Sequence, residues 1–194
     1  SQCGATELIE LIREMSWLKR FDDSLAERLN QRDESGWTDL MKLAGAGNVE
    51  GCRELIDGGA DISFVADDGI TAFGAAALAG HQPVMDLLRE AGAEVSPETN
   101  EGGFLIHDLC QAGVLESVGY VLQHGADPNT LREGDRFTPL MVATNVGERT
   151  IARMLLQAGA DPSITDSRDL APLHSAAADG DLELIRLLVE HGAP

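Results

Sequence analysis

Basic side chains are scarce in this sequence. Fourteen Lys and Arg stand against 33 Asp and Glu, leaving a formal net charge of −19 over 194 residues. The deficit is steepest between Glu54 and Thr130, where Arg89 is the one base among thirteen acids. Affinity for nucleic acid comes largely from cations that neutralise phosphates, so this surface repels such a backbone. An anionic membrane is disfavoured for the same reason. The charge either serves solubility alone or attracts a basic partner, and its concentration in one stretch favours the second reading. Aromatic residues make up only 4% of the chain. Cys3, Cys52 and Cys110 are widely spaced and form no CxxC or Cys/His cluster, so neither a disulfide framework nor a zinc site is expected. No apolar run approaches the roughly 18–20 residues of a membrane span. No basic segment leads into an apolar one, so no signal peptide is visible. The unpaired cysteines favour the cytoplasm. Because the chain starts at Ser1, an exported or periplasmic form with its leader removed is the alternative.

Glycine, by contrast, is plentiful, and it is periodic. Gly-Ala recurs at Gly59, Gly92, Gly125, Gly159 and Gly192, at spacings of 33, 33, 34 and 33. Twelve residues before each stands another glycine: Gly47, Gly80, Gly113, Gly147 and Gly180. A period of this length signals a stack of supersecondary units. Between the markers the apolar pattern is helical. In the last copy Leu184, Ile185, Leu188 and Val189 form a stripe expected to face a core. Each copy therefore reads as a short alanine-rich helix, a glycine stop, a second helix and another glycine stop. Glycine past a helix end takes up the left-handed conformation that satisfies the last carbonyls.

Each first helix starts twenty-one residues before its closing glycine. The starts read TDLM from Thr38, TAFG from Thr71, FLIH from Phe104, TPLM from Thr138 and APLH from Ala171. Threonine there caps the helix, and proline suits its first turn. TPLM and APLH, each followed by GAD or GA at the close of a 33-residue period, resemble the ankyrin repeat, whose signature is T-P-L-H-x-A. The resemblance covers roughly residues 33–194 in five copies, about 33–65, 66–98, 99–132, 133–165 and 166–194. It implies an all-α solenoid of stacked helix-turn-helix units with projecting hairpin loops. The third and fifth copies lack the capping threonine and are expected to be locally weaker, since a lost cap costs about 1 kcal/mol. Residues 1–32 read as a degenerate N-terminal capping repeat. Leu8, Ile9, Leu11, Ile12 and Met15 share one helical face there, and Leu25 and Leu29 mark a second helix. The last helix keeps the apolar density of an internal repeat. That suggests either that the natural protein continues beyond Pro194 or that this end packs on something.

Catalytic and metal-binding constellations are missing from the pattern. His81, His107, His124, His174 and His191 all fall on repeat positions, which a structural role accounts for. Cys52 and Cys110 occupy apolar helix positions and read as buried small hydrophobes. No calcium loop, HExxH, GxSxG or GxxxxGK is present. No enzyme, cofactor, metal or small-molecule substrate is expected. What remains is a ladder. In the family resembled, the hairpin loops and first helices form a concave face where ligand proteins bind. The residue before each helix start lies on such a loop, and here it is Trp37, Ile70, Gly103, Phe137 and Leu170, with Phe104 beside the glycine. Loop tips are ordinarily polar, so apolar residues repeated there mark either a binding site or side chains folded between neighbouring loops. Glu34, Asp67, Asp68, Glu101, Asp135 and Asp179 are expected to surround them. The reading is a protein–protein interaction module for a partner with apolar anchors ringed by Lys or Arg, in the form of an adaptor or of an inhibitor or immunity protein of an enzyme. The alternative is a regulatory or targeting domain of a longer enzyme, channel or adaptor.

Overall fold

The computed structural model describes residue 9, residues 27–99 and residues 102–194. Ten helices lie among them: α1 (Asp39–Gly45), α2 (Val49–Asp57), α3 (Ala72–Leu78), α4 (Gln82–Glu90), α5 (Leu105–Ala112), α6 (Leu115–Gln123), α7 (Pro139–Val146), α8 (Arg149–Gln157), α9 (Pro172–Ala178) and α10 (Leu182–Glu190). Odd-numbered helices are the first of each repeat and even-numbered ones the second. No strand accompanies them among the described residues beyond isolated bridges at Val65–Thr71 and Glu98–Phe104. Most of the N-terminal capping reading falls outside the described residues. Leu29 is buried in the short helical stretch 27–29.

The chain divides into two compact units, residues 1–94 and 95–194. In the first, α1 packs on α3 and α2 on α4. In the second, α5, α7 and α9 pack in one row and α6, α8 and α10 in another. The first-helix rows approach closely because small side chains meet there. Ala44, Ala76, Ala77, Ala143 and Ala176 are fully buried. The second helices supply larger apolar residues, among them Leu55, Leu88, Val121, Leu155 and Leu188, all fully buried. In α10 the buried stripe is Leu184, Leu187 and Leu188, while Val189 is 54% exposed, contrary to the stripe expected from sequence. The 3.6-residue period carries the face onto Leu187 and turns Val189 outward.

All ten marker glycines have positive φ, between 69° and 101°, as the helix-stop reading requires. The threonine caps also form. The hydroxyl oxygens of Thr38, Thr71 and Thr138 accept the N–H of Met41, Gly74 and Met141 at 3.4, 3.1 and 3.2 Å. The third and fifth repeats do something different. The N–H of Phe104 donates to Nδ1 of His107 at 3.1 Å, and that of Ala171 to Nδ1 of His174 at 3.0 Å. The side chain three residues into the helix thus satisfies the cap residue's own amide, the reciprocal half of a capping box. This contact offsets part of the weakness expected from the missing threonine.

The candidate partner-binding face

Each repeat opens with a tight hairpin finger. Its closing bond runs from the N–H of Asp33, Ala66, Thr99, Arg132 and Asp166 to the carbonyl of Trp37, Ile70, Gly103, Phe137 and Leu170, at 2.9–3.0 Å. Four fingers span five residues and the fourth, from Arg132 to Phe137, spans six. That extra residue accounts for the single 34-residue spacing. Carboxylates fold several fingers. Asp33 Oδ1 accepts the N–H of Ser35 and Trp37, Asp68 Oδ1 that of Ile70, Asp135 Oδ1 that of Phe137, and Asp166 Oδ1 those of Arg168 and Leu170. An aspartate short enough to reach the backbone two residues on favours such a turn.

In the N-terminal unit, Trp37 and Ile70 line one open groove of about 560 Å³ together with Leu78. Gly45, Ala46 and Ala75 line it too and add little bulk, so α1 and α3 leave it roomy. Its volume lies in the usual range of ligand-sized clefts. The Trp37 indole N–H donates to Asp68 Oδ2 at 2.9 Å, which sets the ring across to the next finger. Glu34, Asp67 and Asp68 are exposed at the fingertips. Lys42 also lines the groove, with Nζ 3.0 Å from Asp33 and 3.5 Å from Asp39. Partial burial works against its charge, but these two carboxylates hold its pKa above the ordinary value. Hydrogen bonds from Ser35 and Lys42 hold the Asp33 carboxyl well below the usual carboxylate range. Arg32 sits 3.6 Å from Asp67, its guanidinium 4.3 Å from the Phe64 ring centroid.

In the C-terminal unit, Phe104 and Phe137 are half-buried and Leu170 is 37% exposed. The Arg132 guanidinium lies 5.4 Å from the Phe137 centroid and grips Asp135 through two bonds of 3.2 and 2.5 Å. Its stem lies against Gly103, where a Cβ would stand 3.3 Å from it. That bond from Arg132 holds the Asp135 carboxyl below its ordinary pKa. His107 is 1% exposed beneath these residues. Its Nε2 lies 3.0 Å from the carbonyl of Phe137, and its ring stacks on Phe104 with centroids 6.4 Å apart. Burial holds its pKa below the ordinary 6.5, although hydrogen bonds to Phe137 and Phe104 oppose the shift.

The ladder residues therefore differ in what holds them. Trp37 and Ile70 come together on an open groove; Phe137 is covered in part by Arg132. Asp179 does not join the fingers: it is the C-cap of α9, at the far end of that helix from its finger. Glu101 lies outside the described residues. Two bases absent from the sequence expectation are Lys42, which lines the groove of the first unit, and Arg132, which lies over Phe137 in the second. Arg132 was legible as the base occupying the finger-opening position that Asp33 and Asp166 fill elsewhere.

Nothing in this arrangement activates a nucleophile. Burial pushes the thiols of Cys52 and Cys110 up to about 12, where the thiolate is negligible at neutral pH. Among the described residues no cluster of His, Cys, Asp or Glu could hold a metal ion, and no helix is long and apolar enough to cross a membrane.

Known proteins place this architecture. A family profile described as ankyrin repeats matches residues 3–99 and 106–194. An ankyrin repeat-containing protein of Treponema pallidum is 32% identical over 121 residues, 62% of this chain and 41% of its own. The ankyrin repeat protein YahD of Escherichia coli is 27% identical over 176 residues, 88% of this chain and 87% of its own. The crystal structure of an ankyrin repeat domain from Acinetobacter baumannii superposes with a TM-score of 0.82 at 26% identity, covering 100% of this chain and 97% of that one. The chain thus spans less than half of the Treponema protein but most of YahD. Ankyrin repeats are generally protein–protein interaction modules, typically without catalytic activity. This chain belongs to the ankyrin-repeat family.

Proposed function

We propose that the chain holds a partner protein on its finger face, with apolar anchors entering the groove between Trp37 and Ile70. Basic side chains of the partner meet Glu34, Asp67 and Asp68. The observation that carries this reading is the groove itself, an open apolar cleft under acidic fingertips. Lys42, the cation that lines it, is already engaged by Asp33 and Asp39, and Arg32, on the first finger, lies 3.6 Å from Asp67, so the field offered to a partner is negative. An enzyme with a basic cleft is a fitting target, and inhibition of such an enzyme is the finer form of the proposal. Regulatory or targeting service within a longer protein is the second reading, favoured by the 41% coverage of the Treponema relative.

Affinity capture with the wild-type chain, Trp37→Ala and Phe137→Ala tests the face. Trp37→Ala is expected to lose the wild-type partner while its circular dichroism and unfolding midpoint stay close to wild type. Undiminished recovery by both folded variants would remove the ladder as the site. A stoichiometric enzyme whose turnover falls on binding supports the inhibitor form, and several partners bound at separate repeats support an adaptor.

A further inference from the structure

The one histidine that ties two ladder residues together is His107. Its Nδ1 accepts the N–H of Phe104 at 3.1 Å while its Nε2 faces the Phe137 carbonyl at 3.0 Å. Both bonds form at once only in the neutral tautomer with the proton on Nε2. A second proton must go to Nδ1, where the Phe104 N–H now points. Nδ1 could then turn to donate to the Phe104 carbonyl at 3.2 Å, but the Phe104 N–H would be left without an acceptor. An orphaned donor at a half-buried helix start is costly.

We infer that His107 is an acid-sensitive latch: neutral, it clips the fourth finger to the start of the third repeat's first helix, and protonated, it lets go of the Phe104 amide while its Nε2–H stays on the Phe137 carbonyl. Burial outweighs the carbonyls of Phe137, Phe104 and Thr130, which favour the imidazolium. The fourth finger presents Arg132, which opposes a second cation, and Asp135, whose carboxylate attracts the imidazolium but is already bonded to Arg132. Glu133 of that finger is exposed, as is Glu98 at the base of the third. Asp108 is the neighbour on its own helix. Of the helices packed on α5, α6 contributes the exposed Glu116 and the buried Tyr120, neutral in acid, and α7 carries no titratable residue. His174 supplies an internal contrast. It makes the same Nδ1 bond to its cap residue, but on an exposed ring. The consequence for binding, release of a partner from Phe104 in acid, rests on the finger-face reading; the latch itself does not.

The test needs no partner. Histidine ring protons and amide exchange are followed by NMR on the full chain from pH 7.5 to 4.5, for wild type, His107→Gln and His174→Gln. Glutamine at this helix position keeps a cap acceptor and does not titrate. In wild type, exchange at the Phe104 amide, corrected for intrinsic rate, should rise at least about tenfold as His107 titrates below 6.5, while the Arg132 amide, bonded to the Phe137 carbonyl, should stay protected. The step should persist in His174→Gln and vanish in His107→Gln. Flat protection in wild type across the His107 titration overturns the latch, as does a pH step surviving in His107→Gln. Should His107→Gln fail to fold, the wild-type titration decides alone. Failure of the finger-face reading would show instead in the Trp37→Ala capture, at constant pH.

Discussion

Gly47 and Gly80 share a left-handed backbone, with φ of 72° and 73°, but not the same surroundings. A Cβ on Gly80 would meet open space, whereas one on Gly47 would stand 2.8 Å from Nδ1 of His81. Gly80→Ala should therefore cost only the backbone strain, about 1–2 kcal/mol. Gly47→Ala should cost more, because the imidazole of the following repeat must also move. Urea unfolding of the two variants checks the order, and equal losses would show the imidazole to be freely displaced. The buried thiols make a second residue-scale prediction. In a Cys3→Ser background, Cys52 and Cys110 should resist a thiol reagent at pH 8 in the native protein and react at once in denaturant. Their pKa of about 12 and their burial act in the same direction.

At the scale of the element, the helix starts show what a sequence reading captures and what it does not. Thr38, Thr71 and Thr138 were legible as caps because a hydroxyl in that position has one local use. The replacement in the third and fifth repeats was not, because it depends on a histidine ring swinging back to its own helix start. Ala171→Thr should add the missing hydroxyl acceptor beside His174 and stabilise the chain by up to about 1 kcal/mol, read as a raised urea midpoint. Ala171 is 3% exposed, in the same buried setting as Thr138 at 1%, so the added methyl is the risk. A lowered midpoint would mean that crowding outweighs the cap. The finger residues were legible as positions but not as contacts. Spacing placed Trp37 and Phe137 on equivalent tips, yet only the folded chain reveals that one lines an open groove and the other lies under Arg132. Asp179 was misplaced for a similar reason: membership of the fifth repeat does not say which end of α9 a residue occupies.

For the whole molecule, charge is the dominant variable. A net charge of −19 repels itself, so raising salt from about 20 to 300 mM should lift the thermal midpoint by a few degrees. The same salt should slow association with a basic partner. A midpoint that does not respond would mean that the acids are already compensated locally, as Asp33, Asp135 and Asp166 are. Acid acts in two stages. The folded pKa of His107 is depressed, so its contribution is complete above about 6.5 and is lost as pH falls through the folded value. The carboxyls of Asp135, Asp161, Asp166 and Asp181 are also depressed, so their contribution is present above 3.8 and is lost below it. Denaturant midpoints should therefore fall first between pH 6.5 and the His107 value, then again below 3.8. In His107→Gln only the second fall should remain.

The six-residue fourth finger has a bearing on how such a face diversifies. Its additional residue leaves the marker glycines of that repeat in their places around α7 and α8: Arg136, at a φ of 62°, matches Asp169 at 61° in the five-residue fifth finger, and Gly134, at 79°, is the further left-handed residue that the longer finger takes. Length is thus a free variable at the fingertip and a fixed one in the helices. A grafted loop of foreign sequence at residues 133–136 is an experiment in changing what the domain recognises while its helical rows keep their register.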